Sequence, residues 1–440
     1  MARSTASVHR KLGFWMATAL VVGNMIGSGI FLLPATLAPY GWNAVYGWGL
    51  TIAGALCVAF VFAGLGRAMP QAGPYGYARA AFGPGIAFVT IWSYWISVWV
   101  GIAAIAVAAV SYLGLFLPAI GATPGVPALL ACMLLWLLTA VSLRGARAAG
   151  EVQVATVLLK LVPLVAVVAL VLVLLAGGET PPPITGEPVS LGAVSAAATL
   201  ALWAMLGIES ASVPSEKIED PARTIPHATV AGAVTVGALY VAVTLSVLML
   251  LPEGQAAASQ APLADAVARH LGSGFGEAVA LFAAVSCIGT MNGYILIQGE
   301  LPCVMARDGV FPAWFAKQTR NGMPARALLV SSGLATLLVV ANYARSLAEL
   351  FTFMALLSTT ANLVLFVVVC GAALRLGRRG LLRADRLLPV TAVAGLTFSL
   401  WAIFGAGREA VLWGIALLAA GAPVYWLMRR SGAAKESPAV

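Results

Sequence analysis

Charge is scarce in this chain. Only 9% of its 440 residues are Asp, Glu, Lys or Arg, against about 25% in a typical soluble domain. Hydrophobic residues make up 61%. That balance excludes an ordinary soluble fold and predicts an integral membrane protein. Histidine is rarer still. His9, His227 and His270 lie near ends of apolar runs and form no ligand cluster, so neither a His-built metal centre nor a Ser/His enzyme is expected. The five cysteines, Cys57, Cys132, Cys287, Cys303 and Cys370, lie in apolar segments without metal-like spacing. They read as small packing residues. No cofactor and no metal is expected. Long polar stretches are also missing: the longest are about 177–189 and 252–273, with a short polar tail. A sensor with an appended soluble domain is therefore not expected, and residues 1–440 read as one membrane domain.

Apolar runs fill the rest. A membrane span takes about 20 mostly apolar residues. Twelve such runs are read, near 14–37, 43–65, 85–117, 126–143, 152–176, 190–214, 227–251, 274–305, 325–343, 349–374, 387–405 and 410–428. They are too long and continuous for barrel strands, so the fold class is all-α and polytopic. The first run shows no small-residue cleavage site and reads as a retained span. The net charge of +9 follows topology. With the N-terminus inside, twenty-one of the 25 lysines and arginines fall on the inner side, among them Arg3, Arg10, Lys11, Arg67, Arg79, Lys217, Arg307, Arg383 and Lys435. Arg269, Arg345 and Arg408 fall outside, and Lys160 lies within a span. By the positive-inside rule both termini are cytoplasmic. The basic balance needs no nucleic-acid partner, and the partner expected is the lipid bilayer itself.

Two spans are interrupted. The first carries GNMIGSGIFLLP over 23–34, with three glycines, a serine and an asparagine in seven positions. Each interior glycine costs a helix about 1 kcal/mol relative to alanine. The sixth carries LWAMLGIESAS over 202–212. Paired interruptions that open two five-span halves point to an inverted repeat with the substrate site between them; close helix packing is the plainer explanation of such glycines. If the first helix unwinds at Gly27-Ser28-Gly29, the next half-helix offers free N–H groups to a carboxylate. Carbonyls freed near Asn24, Met25 and Trp203 to Leu206 would accept from an ammonium. Such a site suits a zwitterionic amino acid.

Three ionisable residues lie inside spans, where charge is costly and usually functional. Glu209, in the sixth-span cluster, is placed to gate by taking and releasing a proton, or to bridge helices as a structural acid. Lys160, about nine residues beyond Glu151, lies too deep to snorkel and would hold the broken first helix against spans five and eight. Glu300, just before Pro302, lies nearer the cytoplasmic end and faces either the pathway or the interface.

The chain resembles the amino acid–polyamine–organocation transporters, and within them the arginine/agmatine antiporters and related sodium-independent amino acid transporters. The resemblance rests on GNMIGSGIFLLP (23–34), GPYGYARAAFGP (73–84), LWAMLGIESAS (202–212), EDPARTIPHA (219–228) and ARDGVFP (306–312). It implies a five-plus-five inverted repeat with broken helices 1 and 6, the halves spanning about 12–180 and 190–380. Two further helices then cover about 387–428. It implies alternating access, a bacterial inner-membrane location and a homodimer. The segment Met25, Ile26, Gly27, Ser28 and Gly29 would hold the substrate: Ser28 and Gly29 its carboxylate, the carbonyls of Met25, Trp203 and Leu206 its amino group. Trp203 would close over it. Glu209 would sense protons, and Lys160 would occupy the place a sodium ion fills in other branches, so no sodium is expected.

The side-chain pocket departs from the antiporter pattern. Tyr294 stands at the stacking tryptophan's position, Ile102 and Ile105 replace an asparagine and a methionine, and Val98 replaces a cysteine. A polar group left unpaired there costs about 1–3 kcal/mol. The expectation is a neutral or apolar amino acid, carried by proton coupling or exchange. The alternative is an arginine/agmatine-like or polyamine antiporter, for which Asn292 and Glu300 speak. A channel would show a continuous polar lining, which is not seen.

Overall fold

A computed structural model describes residues 13–430 apart from 71, 117–122, 124, 182, 213–217, 343–345 and 383–385. His9, Arg3, Arg10, Lys11, Lys217, Arg345, Arg383 and Lys435 lie outside the described residues. The described residues are mainly helical: α1 Phe14–Met25, α2 Ser28–Leu37, α3 Trp42–Ala68, α4 Gly73–Phe82, α5 Pro84–Leu113, α6 Val126–Leu143, α7 Ala146–Ala176, α8 Leu191–Met205, α9 Pro221–Leu250, α10 Glu253–Ala258, α11 Pro262–Leu271, α12 Ser273–Arg307, α13 Ala325–Ala341, α14 Leu347–Arg378, α15 Leu387–Gly405, α16 Arg408–Ala419 and α17 Gly421–Arg430. Ten spans among the described residues are long and apolar enough to cross a membrane; α8 and α13 are shorter apolar helices. Helices suit that solvent because every main-chain bond closes within the segment.

Helix ends follow local chemistry. Ser346 and Glu349 form a reciprocal capping box that opens α14. Gly83, with φ +88°, turns α4 into α5, and Pro84 follows at the first helical position. The stretch 252–273, read as lying outside the membrane, carries the short helices α10 and α11; Leu263, Ala264, Ala266 and Val267 give α11 one buried face, and Arg269 and His270 complement its C-terminal dipole. At the end of the stretch 177–189, Asn43 Nδ2 donates to the Glu187 carbonyl at 3.0 Å.

Nearly all of α5 is buried, and it packs along α14 and α12 as a central pillar. α3 packs on α9 and α8, and α12 on α7. The α7–α12 approach depends on Gly289, where a Cβ would stand 2.2 Å from the Thr156 hydroxyl. Small residues at such contacts let membrane helices approach closely. Here the contact sets Lys160, one turn beyond Thr156, beside Thr290.

Two of the sequence motifs meet at one end of the bundle. Arg79 of α4 pairs with Asp308, after α12, at 3.4 Å, both about one-third exposed. Burial, and then Asp308, push the nearby Tyr75 hydroxyl pKa upward. Exposed ion pairs contribute about 0–1 kcal/mol. Asp308→Asn is therefore expected to lower thermal stability by no more than about 1 kcal/mol. Denaturation of the purified protein in detergent measures this; a larger loss would make the pair a structural clamp.

Candidate substrate site

The first break falls at Ile26 and Gly27. Ile26 has φ −75° and ψ 86°, Gly27 has φ −124° and ψ −142°, and α2 begins at Ser28. First-turn N–H groups, starting at Ser28 and Gly29, have no intrahelical acceptor, and the dipole is positive there. The Ser28 hydroxyl is buried beside them without a hydrogen bond. This end suits an anion.

The other side of the break is already organised. The Gly23 carbonyl accepts from Lys160 Nζ at 2.6 Å. Lys160 also donates to Thr290 Oγ1 at 2.5 Å, which in turn donates to the Ile26 carbonyl at 2.9 Å. The Met25 carbonyl accepts from the Tyr240 hydroxyl at 2.6 Å and from the Gly27 N–H at 2.8 Å. A carbonyl has two lone pairs, so Met25, expected to hold a substrate amine, has both engaged. The Trp203 carbonyl accepts the Leu206 N–H at 3.3 Å. Lys160 thus bonds the end of α1, buried and outside the cavity lining.

The second break falls within LWAMLGIESAS: α8 stops at Met205, short of the run 190–214, and irregular turns carry residues 206–212. The two breaks touch. A Cβ on Gly207, whose φ is +107°, would stand 3.1 Å from the Met25 nitrogen. Asn24 Nδ2 donates to Ser210 Oγ at 3.0 Å, and the Gly207 N–H donates to Glu209 Oε2 at 3.2 Å. Left-handed backbone at a residue with a side chain costs on the order of 1–3 kcal/mol, and the added methyl would press the breaks apart. Gly207→Ala is expected to lose at least that much stability and most transport, measured by thermal denaturation and proteoliposome uptake. A fully active variant would show that the contact is incidental.

Between the breaks lies a narrow cavity lined by Asn24, Met25, Gly27, Ser28, Gly29, Tyr94, Ser97, Gly101, Ile105, Trp203, Ala204, Leu206, Glu209, Thr290, Tyr294, Ser358 and Asn362. Its free volume is about 20 Å³. That is room for about one water, so a substrate enters only if the site opens. Trp203 stands edge-on to Phe351, with ring centroids 6.2 Å apart. Phe351 also lines a second, open cavity of about 580 Å³, together with Leu32, Thr36, Ser111, Glu349, Arg408 and Glu409. Trp203 lines the narrow cavity and Phe351 the vestibule, so this ring contact links the walls of the two.

The structure gathers most of the expected residues and omits some. Val98 and Ile102 are buried but lie off the lining, which takes their neighbours Ser97 and Gly101, two turns and one turn from Ile105 on the same face of α5. Ile26 is buried behind the break. Glu300 is half-buried, six residues along α12 from Tyr294, about 9 Å by helical rise, and off the lining. Asn292 is buried in α12, off the lining, and has an interaction of its own. Sequence reasoning missed Tyr94, Ser97, Thr290, Ser358 and Asn362. Their signal was polarity in otherwise apolar helices, Ser358 and Asn362 at a four-residue spacing that shares a face.

Two broken helices meeting across a narrow buried cavity, beside an open vestibule in a many-span helical protein, define the class of a membrane transporter. The chain belongs to the amino acid permease family, whose model matches residues 12–427, within the amino acid–polyamine–organocation superfamily. It is 33% identical to a cadaverine/lysine antiporter of Escherichia coli (strain K12) over 342 residues, 76% of this chain and 75% of the relative. It is 32% identical to a putative arginine/ornithine antiporter of Bacillus subtilis (strain 168) over 391 residues, 82% and 83% of the two chains. Identity to the putrescine transporter PotE of Escherichia coli (strain K12) is 27% over 95% of this chain and 96% of the relative.

Proposed function

We propose that this chain is a sodium-independent antiporter of cationic amino acids or polyamines, working by alternating access in the bacterial inner membrane. One observation carries the reading: Glu209, 1% exposed, lines a cavity that has no lysine or arginine among the described residues of its lining. A buried carboxylate is stable when a cation or a proton meets it. A cationic substrate and a proton are then alternative partners for one group. The relatives support the same choice, since those described above are named for lysine, arginine, ornithine, cadaverine or putrescine. They speak against the neutral preference that Ile102 implied, and Ile102 lies off the lining. Twelve spans in a five-plus-five repeat, with both termini cytoplasmic, complete the proposal; α8 and α13 stand where spans six and nine were read.

The Ser28–Gly29 end receives a carboxylate when the substrate has one. Lys160 occupies the position of a fixed cation, tying α1 to α7 and α12, and removes the need for sodium. Opening of the Trp203–Phe351 contact joins the site to the vestibule. Ligand-induced stabilisation in sodium-free buffer tests the reading. Lysine, arginine, ornithine, cadaverine and putrescine are screened against leucine and methionine. Cationic compounds are expected to raise Tm and apolar ones to leave it unchanged. Stabilisation by leucine or methionine alone restores the neutral reading.

A further inference from the structure

Asn362 is 1% exposed, and neither its Oδ1 nor its Nδ2 has a hydrogen-bond partner. It lines the narrow cavity between the breaks. Its neighbour one turn away differs. Ser358 Oγ donates to the Ser97 carbonyl at 2.7 Å and lies 3.1 Å from Ser97 Oγ. The serine rung between α5 and α14 is thus closed within the protein, while the amide rung below it is open.

Helix direction fixes the level of that rung. Phe82, two residues before the start of α5, lies beside Gly371 and Arg375, and Ser97 within α5 contacts Ser358, so α5 and α14 run antiparallel. Four residues beyond Ser358, Asn362 stands level with Tyr94, which faces Glu209. Asn24, bonded through Nδ2 to Ser210 after the second break, contributes a further unpartnered oxygen, Oδ1, to the lining. Oxygen acceptors therefore collect at this end of the cavity: Asn362 Oδ1, Asn24 Oδ1, the Tyr94 hydroxyl and the Glu209 carboxylate. The main-chain N–H donors of Ser28 and Gly29 form the other recognition element. A primary ammonium carries three donors on a tetrahedral nitrogen and needs acceptors from several directions. A methyl group at the same place would leave the amide buried and unpaired.

We propose that Asn362, together with Asn24, Tyr94 and Glu209, forms the subsite for a distal primary ammonium and selects lysine- or diamine-type substrates over apolar amino acids of equal length. The proposal rests on the cationic reading above and adds the residue that reads the far end of the substrate. The test compares lysine with norleucine, which has the same chain but ends in a methyl group. Affinities are measured by binding to the purified full-length protein in detergent. Wild type is expected to favour lysine. Asn362→Leu should reduce the lysine-to-norleucine affinity ratio about tenfold or more, and Asn362→Asp should raise it. The Asp variant keeps the test available if the Leu variant fails to fold. An unchanged ratio in either folded variant overturns the assignment and gives the amide to a bound water. A wild type that favours norleucine overturns the cationic reading itself, a separate result from failure of the Asn362 assignment.

Discussion

Lys160→Ala is expected to cut transport about a hundredfold or more while leaving a folded, monodisperse protein. The ammonium makes two bonds, to the Gly23 carbonyl at 2.6 Å and to Thr290 Oγ1 at 2.5 Å. Hydrogen bonds to charged groups are worth about 1.5–3 kcal/mol each, and a buried acceptor left unpaired costs about 1–3 kcal/mol. The loss is concentrated where the first helix breaks, because Thr290 passes the connection on to the Ile26 carbonyl. Without Lys160, α1 loses its tether to α7 and its bridged tether to α12, and the broken segment has less reason to keep the geometry that presents Ser28 and Gly29. Global stability is shared among many packed helices, so folding survives. Uptake of labelled lysine into proteoliposomes, with size-exclusion behaviour as the control, measures the effect. Turnover within a few-fold of wild type would demote Lys160 to a structural lysine.

Glu209→Gln is expected to flatten the pH dependence of transport while substrate still binds. The carboxylate is buried, accepts from the Gly207 N–H and lines the cavity. Glutamine keeps the shape and a carbonyl acceptor but carries neither the charge nor a titrating proton. If Glu209 exchanges a proton for a substrate cation, the substitution fixes the site in one electrical state, and exchange becomes insensitive to pH and slow. Glutamine still offers an oxygen acceptor, so binding persists, with affinity reduced most for diamines. Initial rates across a pH series, wild type beside variant, separate the two outcomes. A variant with the wild-type pH profile would remove Glu209 from the proton step.

The parts of the site legible in the sequence were those that stand out against an apolar background. Gly27, Ser28 and Gly29 drew attention because glycine weakens a helix, and Lys160 and Glu209 because charge inside a span is costly. The structure brings both breaks into backbone contact and attaches Lys160 to the first. What the sequence left open depends on rotation about a helix axis. One residue of error turns a side chain by about 100°, which is the difference between Ile102, off the lining, and Gly101, on it. Ser97, Ser358 and Asn362 were masked for the same reason: a small polar residue in a span is common, and only its facing neighbours decide what it does. The carbonyls of Met25 and Trp203 read as free from the break alone, but Tyr240, Gly27 and Leu206, brought in by the fold, already donate to them. The helices α10 and α11 were hidden because six- and ten-residue segments rich in alanine and polar residues look like a loop when their burial is unknown.

The central claim, cationic exchange at the paired breaks without sodium, is tested most directly by counterflow. Proteoliposomes loaded with unlabelled lysine are diluted into sodium-free buffer containing labelled cadaverine. Rapid accumulation of label is predicted, absent from liposomes loaded with leucine or left empty. Equal accumulation with leucine-loaded vesicles, or accumulation that requires added sodium, would contradict it.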